Sequence, residues 1–356
     1  MNFYLTEERQ MLQDTLRRYL RDQYGTERRN RILDSDAGYD PDIWTGLAEL
    51  GVIGALFTEE QGGFGGEGFD IAVVFEELGR AGVVEPMLDC GLLAGRALAA
   101  AGRDDLVEAL IGGGLHMAFA HYEPGSRYDP AHLHTKCTNG RLTGRKAVVM
   151  HAAAAAQLVV SARDGEEVCL YLVSRDAEGL DIRDYPLLAG GRAGEVVLEN
   201  VPCEALSVGS SALSDLIAMA TVAQCAEALG AMETATALTR DYLMTRKQFG
   251  RPIGAFQALQ HRMADLLIEL EQARSAVINA AGHLGGTEQD ITLSASKNLI
   301  GRVGRLVAEE SIQMHGGIAM TQEYELAHIA KRIVMADHRF GDEDYHLERF
   351  IALSAA

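Results

Sequence analysis

The stretch RKQFGRPIGAFQALQHRMAD, residues 246 to 265, decides the architecture of the C-terminal part of the chain. Before it, apolar side chains from Met232 to Tyr242 recur every three or four residues, the spacing of a helix packed on a core. Pro252 then removes a backbone donor and Gly250 permits unusual dihedral angles. The pattern predicts that one helix ends at this corner and a second helix begins after it.

Polar side chains crowd around this otherwise apolar corner. Guanidinium groups and amides at such a density offer contacts to a phosphate or to a planar heterocycle. The alternative, open on pattern alone, is a plain connection between two helices. The side chains in question belong to Arg246, Lys247, Gln248, Arg251 and Gln257.

The same stretch resembles the signature of the acyl-CoA dehydrogenase family of flavoproteins. A second resemblance to that family lies in QMHGGIAMTQEYELAHIAKR at residues 313 to 332, and the likeness covers nearly the whole chain. It implies an α+β fold with three parts. These are an N-terminal α-helical domain at residues 1–114, a middle antiparallel β-domain at 115–203 and a C-terminal four-helix bundle at 204–356.

The residues by themselves indicate the same order of helices, strands and helices. Helical periodicity runs from Thr6 to about Ala101, interrupted by FTEEQGGFGGEGFD at 57–70, whose glycines predict a tight loop. From His116 to Pro202, short apolar runs alternate with Gly, Asp and Asn, which predicts a compact antiparallel sandwich or barrel. Long helical patterns return after Leu206.

Composition favours a folded protein of two or three packed units. With 32 basic and 51 acidic residues, the net charge of −19 argues against nonspecific binding to nucleic acid or to an anionic membrane. No stretch approaches the roughly 20 apolar residues of a membrane span, and the start MNFYLTEERQ lacks the apolar core of a signal peptide. A cytoplasmic location is therefore expected. The five cysteines show no CxxC pair, and we expect buried thiols and no metal site.

The resemblance implies FAD as the cofactor, bound at a subunit boundary of a dimer or tetramer that is either a homo-oligomer or a hetero-oligomer. Its pyrophosphate and adenosine would be held by Arg246, Gln248 and Phe249 with Gln257 nearby, and by Gln313, Gly316 and Gly317 from the partner chain. On the flavin side, HYEPGSRYD at 121–129 and KAVVMHAAA at 146–154 are the nearest counterparts of the family segments. The matching residues are Tyr122, Ser126 and Met150, with Val148 in place of a tryptophan.

The family reaction removes the proton alpha to a thioester carbonyl while hydride passes from the beta carbon to flavin N5, so it requires a carboxylate base. The two usual positions for that base are occupied here by Phe340, in the pair Phe340-Gly341, and by Ala220. Glu227, in the apolar run TVAQCAEALGAM, is the candidate, and a satisfied polar contact between helices is the alternative reading. Weaker candidates are Asp215 and the acidic cluster Asp342, Glu343 and Asp344.

These departures resemble the small-subunit type of heteromeric acyl-CoA dehydrogenase, used in dicarboxylate or steroid side-chain degradation. The chain is accordingly expected to be an FAD-dependent acyl-CoA dehydrogenase subunit with electron-transfer flavoprotein as its electron acceptor. Small residues at Ala218, Ala220 and Thr221 indicate a wide acyl cavity. Two alternatives stay open, a noncatalytic subunit that completes a partner's FAD site and a flavin monooxygenase or oxidase on the same fold.

Overall fold

A computed structural model describes residues 5–355 of the chain. The chain divides into two compact units, which are named here by their contents. Of the described residues, the bundle unit comprises 5–26, 71–83 and 221–355, and the sheet unit comprises 27–70 and 84–220. Residues 1–4, part of the start on which the expectation of no signal peptide rests, lie outside the described residues.

Helices dominate both ends of the chain, as the periodicity predicts. Thr6 begins the first helix by accepting a hydrogen bond from the Arg9 backbone amide at 3.3 Å. In the described residues the α-helices are α1 (Glu7–Gln23), α2 (Thr26–Leu33), α3 (Pro41–Glu49), α4 (Gly68–Ala81), α5 (Gly95–Ala100), α6 (Asp104–Ile111), α7 (Ser210–Thr245), α8 (Gln257–His283), α9 (Gln289–His315), α10 (Glu325–Asp337) and α11 (Glu343–Ser354). A π-helix, Met87–Ala94, precedes α5.

The sheet unit contains one eight-stranded sheet. Its strands are β1 (Met117–Ala120), β2 (Lys136–Thr138), β3 (Arg141–Met150), β4 (Gln157–Asp164), β5 (Glu167–Ser174), β6 (Leu180–Pro186), β7 (Arg192–Pro202) and β8 (Glu204–Ala205). The spatial order is β6-β7-β3-β2-β4-β5-β8, with β1 paired to β4. An α+β fold is confirmed.

The sheet is mixed, which corrects the expectation of a purely antiparallel one. Both β1 and β2 run parallel to β4, and the other pairs are antiparallel. The apolar runs correctly marked β1, β3, β4, β5 and β7. Strands β2, β6 and β8 escaped prediction because they are short or largely solvent-facing, so they carry no continuous apolar run.

The corner between α7 and α8 is confirmed. After α7 ends at Thr245, β9 (Lys247–Gln248) and β10 (Arg251–Pro252) form a small antiparallel hairpin, and a short 3-10 turn leads into α8. Phe249 and Gly250 make the tip with positive φ angles of 51° and 76°. The hairpin is closed by a hydrogen bond of 2.8 Å from the Ile253 amide to the Arg246 carbonyl.

Two glycines let α4 and α7 cross in backbone contact inside the bundle unit. A Cβ atom on Gly79 would overlap the carbonyl oxygen of Glu227, and one on Gly230 would overlap that of Glu76. The hydroxyl of Thr234, one turn after Gly230, donates to the Arg80 carbonyl at 2.8 Å. Only residues without a side chain fit at the two crossing points.

Ion pairs with buried carboxylates link α4 and α7 to each other and to α1 and α8. Arg17 of α1 donates to both carboxylate oxygens of Glu77 on α4, at 2.8 and 2.5 Å. Arg80 of α4 and Arg274 of α8 both pair with Glu233 of α7. Each buried carboxylate therefore has a guanidinium partner, which offsets the cost of removing the charge from water.

Two expectations from composition need correction. By length and composition α7 could cross a membrane, but 72% of its apolar window is buried, as in the core helix of a soluble protein. Of the five thiols, those of Cys90 and Cys225 are buried, whereas those of Cys137, Cys169 and Cys203 are only partly so. The latter three lie in or beside the sheet and pack against its core cluster at partly buried positions.

The helix crossing generates a stability prediction. Gly230→Ala should lower the free energy of unfolding by about 2 kcal/mol or more, because the added methyl group meets backbone that cannot move without separating the helices. Urea unfolding followed by far-UV circular dichroism measures the change. Gly25→Ala is the control, since its Cβ would meet nothing within 4 Å. Equal stability of the two variants would contradict the crossing.

Candidate functional site

The residues predicted to hold a dinucleotide lie on the hairpin between α7 and α8, and they face solvent. Phe249 is 91% exposed, and Arg246 and Gln248 are exposed as well. Within residues 5–355 the side chains of Arg246 and Gln248 form no hydrogen bond and no ion pair. An exposed guanidinium and amide with free donors can bind phosphate oxygens without first breaking contacts within the chain.

Aromatic and cationic contacts hold this hairpin in place. The Arg251 guanidinium lies 4.2 Å from the ring centroid of Phe256, and Phe249 meets the same ring edge to face at 6.2 Å. Gln257, predicted to lie near the cofactor, is exposed at the first position of α8. The hairpin is thus ordered by its own side chains.

The second predicted motif follows the end of α9. Gln313 is exposed on the last turn of that helix, and Gly316 follows with a φ of 71°. A Cβ atom added to Gly316 or Gly317 would meet nothing within 4 Å, so the backbone here is open to an approaching group. The positive φ at the end of α9 requires a glycine at 316, whereas neither packing nor a positive φ requires Gly317, which agrees with a binding use there.

An aromatic stack brings the two motifs together in one chain. Tyr242, one turn before Arg246, stacks on His315 at a centroid distance of 4.4 Å. His315 Nδ1 donates to the Ser311 carbonyl at 2.8 Å, so Nε2 accepts from the Tyr324 hydroxyl at 3.2 Å. Burial lowers the pKa of His315, which favours this neutral form. The expectation that the second motif serves a partner's cofactor stays a prediction.

On the sheet side, the predicted residues flank β1 and β3. The Tyr122 carbonyl accepts from the Ala147 amide at 2.9 Å, which joins the two segments. Ser126 is buried, and its hydroxyl donates to the Glu123 carbonyl at 2.9 Å. The Ser126 hydroxyl therefore stabilises a turn of the segment. Met150, the last residue of β3, is half-buried opposite Ala193.

A buried lysine stabilises this turn. Lys146 is fully buried, and its Nζ donates to Glu123 Oε1 at 2.8 Å, to the His121 carbonyl at 3.0 Å and to Ser161 Oγ at 3.1 Å. Burial lowers the pKa of Lys146 to about 8. Burial raises the pKa of Glu123. The Lys146 ammonium and the hydrogen bonds donated to the carboxylate outweigh this effect and lower the pKa to about 2.

A bulge next to Lys146 exposes the position that replaces the family tryptophan. The register between β3 and β7 shifts between Lys146 and Val149, and Val148 has a φ of 53° with its side chain 55% exposed. A β-branched residue in this left-handed conformation is strained. This strained residue lies in a segment that is predicted to contact the flavin.

Glu227, the predicted base, lies in an ion pair between helices. Its Oε1 accepts from Nη2 of Arg332 on α10, and its Oε2 lies 3.5 Å from Nε2 of Gln224. The contact matches the alternative reading of a polar link between helices. Two buried atoms beside it, Gln224 Oε1 and Arg332 Nε, have no hydrogen-bond partner within the described chain. Neither the ion pair nor these atoms test whether Glu227 acts as a base.

The usual base position near the C-terminus is part of a tightly held loop. Phe340 has a φ of 58° and is buried. Lys297 of α9 donates to the carbonyls of Ala336, Asp337 and Gly341 at 3.1, 2.9 and 2.7 Å. The ammonium group thus offsets the partial negative charge of the carbonyl groups at the end of α10. Burial lowers the pKa of Lys297. An apolar ring is fixed where other members carry a carboxylate.

The weaker acidic candidates mostly have structural contacts or face solvent. Asp342 begins α11 by accepting from the Tyr345 amide at 2.9 Å, and Glu343 lies 3.6 Å from an Arg305 nitrogen. Asp215 and Asp344 are exposed. This distribution is what a charge cluster at helix ends produces without any catalytic use.

Comparison with known proteins decides the family. Residues 6–113 match the acyl-CoA dehydrogenase N-terminal domain, and residues 209–352 match the acyl-CoA dehydrogenase C-terminal domain. The chain belongs to the acyl-CoA dehydrogenase family. Members of this family are FAD-dependent oxidoreductases acting on CH-CH groups, and FAD is the cofactor.

Individual acyl-CoA dehydrogenases cover almost the full length of this chain. It is 33% identical to acyl-CoA dehydrogenase IpdE2 of Mycobacterium tuberculosis over 92% of its length and 91% of the relative's. A solved steroid ACAD, Tcur3481-Tcur3483 G363A variant, aligns at 30% identity with a TM-score of 0.91, covering 98% of each chain. The ChsE4-ChsE5 complex from M. tuberculosis shares the fold at 23% identity and a TM-score of 0.91, covering 100% of this chain and 99% of that one.

Several residues that contact the predicted site segments were not identified from the sequence. They are Lys146, Lys297 and Arg332, charged residues inside helix or strand patterns, and Tyr242 and His315, which looked like ordinary helix residues. A buried lysine requires partners, so a lysine at an inward position of a strand is a usable signal. The stack of Tyr242 on His315 leaves no comparable signal, because the residues are far apart in sequence.

The Lys146–Glu123 pair generates the second prediction. Lys146→Met should lower the stability of the sheet unit by about 3–5 kcal/mol, because it leaves the Glu123 carboxylate buried without its cation. Urea unfolding followed by fluorescence of Trp44, the single tryptophan and a buried residue of this unit, measures the loss. Lys136→Met, at an exposed position on β2, should change stability by less than about 0.5 kcal/mol.

The pH dependence gives a further check on this pair. Because the Glu123 pKa falls from 4.5 to about 2 on folding, its contribution is fully present above pH 4.5 and is lost as the pH falls towards 2. Glu123→Gln should remove this part of the acid destabilisation. If Lys146→Met and Lys136→Met unfold at the same urea concentration, the pair does not support the turn.

Proposed function

We propose that this chain is the FAD-binding subunit of a heteromeric acyl-CoA dehydrogenase that acts on a bulky, steroid-like acyl thioester. The observation that carries the proposal is the exposed, ordered hairpin on which Arg246 and Gln248 have no partner within the described chain. Such donors fit a pyrophosphate, and the open backbone at Gly316 and Gly317 fits a group that approaches closely. The residues present therefore suit a dinucleotide.

The residues proposed to bind FAD fall into two groups, one on each unit. On the bundle unit, Arg246, Gln248, Phe249 and Gln257 bind the pyrophosphate and adenosine, together with Gln313 and the open glycines of the second motif. On the sheet unit, Tyr122, Ser126 and Met150 belong to the flavin side, where backbone amides supply the hydrogen bonds. FAD, when bound, supplies the hydride acceptor for the reaction.

Glu227 is the proposed proton acceptor for the alpha carbon. The Arg332 guanidinium pairs with this carboxylate and fixes its position, and a carboxylate is a group that can accept a proton. The unpartnered atoms Gln224 Oε1 and Arg332 Nε beside it are available to hydrogen-bond a bound group. The three side chains would together orient the acidic carbon against the carboxylate.

The substrate and assembly follow from relatives of the chain. The similar solved structure is described as a steroid ACAD, and its name joins two designations, which supports a heteromer here. The wide acyl cavity is proposed from the small side chains of Ala218, Ala220 and Thr221, all of which are buried. Electron-transfer flavoprotein as acceptor, a cytoplasmic location and the absence of membrane binding are part of the same proposal.

A noncatalytic subunit is the second candidate function. It is favoured by the buried Phe340 and by Ala220 at the two usual base positions. A chain without a base could still contribute its hairpin to a partner's dinucleotide. The two candidates differ in whether Glu227 is required for turnover.

Arg246 provides the test of FAD binding. Arg246→Ala should weaken FAD binding about ten-fold or more, because a charged hydrogen-bond donor to the pyrophosphate is lost. The ratio of flavin to protein absorbance in the purified protein measures it, alone and co-expressed with a partner chain. Arg18→Ala, which removes an exposed arginine of α1 that has no assigned part in binding, is the matched control. Equal flavin content in both variants would exclude Arg246 as a ligand.

Glu227→Gln tests the base. The variant should reduce turnover of a steroid-like acyl-CoA about 100-fold or more while flavin content stays unchanged, because an amide cannot accept the proton. Asp215→Asn, an exposed carboxylate on the same helix, is the control and should keep full activity. Full turnover by Glu227→Gln in the flavin-loaded assembly would assign proton removal to a partner chain.

A further inference from the structure

Two histidines outside the site described above lie with their imidazole rings side by side. His132 and His134 are both exposed, and their Nε2 atoms are 3.0 Å apart. Their ring centroids are 4.6 Å apart, and the ring planes are nearly perpendicular at 88°. Neither residue has been given a part in cofactor or substrate binding.

These distances match two imidazoles that converge on one metal ion. With metal–nitrogen bonds of about 2.0–2.1 Å and an angle of about 90° at the metal, the nitrogens lie about 2.9 Å apart and the centroids about 4.5 Å apart. Two rings joined end to end by a hydrogen bond would have centroids more than about 5 Å apart. The short centroid distance therefore shows that the two rings are inclined toward a common point, and without an ion one Nε2–H donates to the other Nε2.

The backbone that carries the two rings is anchored in the sheet unit. Leu133 and Thr135 are buried, so the chain alternates inward and outward and places both histidines on the outer side. Arg163 of β4 donates from Nη2 to the Ala131 carbonyl at 2.9 Å and from Nε to the Leu133 carbonyl at 3.1 Å. These two hydrogen bonds hold the backbone from which both imidazoles extend.

The same segment is held from its other side by Glu123. Its two carboxylate oxygens accept from the backbone amides of His134 and Thr135, at 2.6 and 3.0 Å. Glu123 is itself held by the buried ammonium of Lys146. Because both sides are held, little conformational freedom is lost when the rings bind a common ion, and preorganisation of this kind raises affinity.

We propose that His132 and His134 form a surface chelate for a divalent transition-metal ion. Residues 5–355 contain no group of three or more potential metal ligands, so the pair supplies two ligands and solvent supplies the others. The angle of about 90° suits the square-planar or octahedral preference of Cu²⁺ and Ni²⁺ better than the tetrahedral preference of Zn²⁺. The order of affinity is Cu²⁺ first, then Ni²⁺.

Calorimetric titration of the tag-free, flavin-loaded protein with Ni²⁺ and Cu²⁺ tests the chelate. Ni²⁺ is the more informative probe, because Cu²⁺ also reacts with thiols and the chain has five cysteines. One ion per chain is expected to bind tightly. His132→Ala and His134→Ala should each weaken binding about 100-fold, since the second ligand no longer acts at a high effective concentration.

Two controls separate the chelate from general histidine binding and from misfolding. His261→Ala removes an exposed histidine of the bundle unit and should leave the titration unchanged. Arg163→Met keeps both ligands but releases their backbone, and with far-UV circular dichroism unchanged it should bind more weakly than the wild type. Undiminished Ni²⁺ binding by His132→Ala combined with His134→Ala would overturn the proposal. Wild-type affinity in Arg163→Met would overturn its basis in preorganisation.

Discussion

The backbone contact between α4 and α7 is the constraint on which the bundle unit depends. Gly79 and Gly230 remove the side chains that would otherwise hold these helices apart. At this short separation Arg80 pairs with Glu233 of the neighbouring helix, and the Thr234 hydroxyl donates to the Arg80 carbonyl. Glu227, whose carbonyl oxygen lies at this crossing, pairs with Arg332 through its side chain.

Charged groups are used in two different ways in this molecule. Those that build the scaffold are buried and paired, as with Lys146 and Glu123 in the sheet unit and Lys297 at the end of α10. The Arg246 guanidinium, which is proposed to hold the dinucleotide, is exposed and has no partner within the described residues. The contrast follows from desolvation, because a buried charge without a partner is costly, whereas an exposed one keeps its hydration until a ligand replaces it.

The changed chemistry of the base positions has a structural consequence. A carboxylate at residue 340 would face the apolar surroundings that now bury Phe340, and it would need a cation or donors there. Lys297 does not serve that purpose, because its donors are directed to three backbone carbonyls. The loop is therefore built to present an apolar ring, and the base of the proposed reaction has to come from elsewhere.

The sequence by itself determined the order of helices and strands, the corner at Pro252 and the family. These features rest on local signals, since periodicity, a proline with flanking glycines and the RKQFG motif all act over a few residues. Strands β2, β6 and β8 could not be predicted, because short or solvent-facing strands gain their stability from neighbours that are distant in sequence. The tertiary structure alone decided that Glu227 meets Arg332, that Tyr242 stacks on His315 and that His132 converges with His134 on an anchored segment. The first two depend on which distant residues the fold brings together, and the third depends on distant partners that hold the backbone of the histidine segment, so no local pattern encodes them.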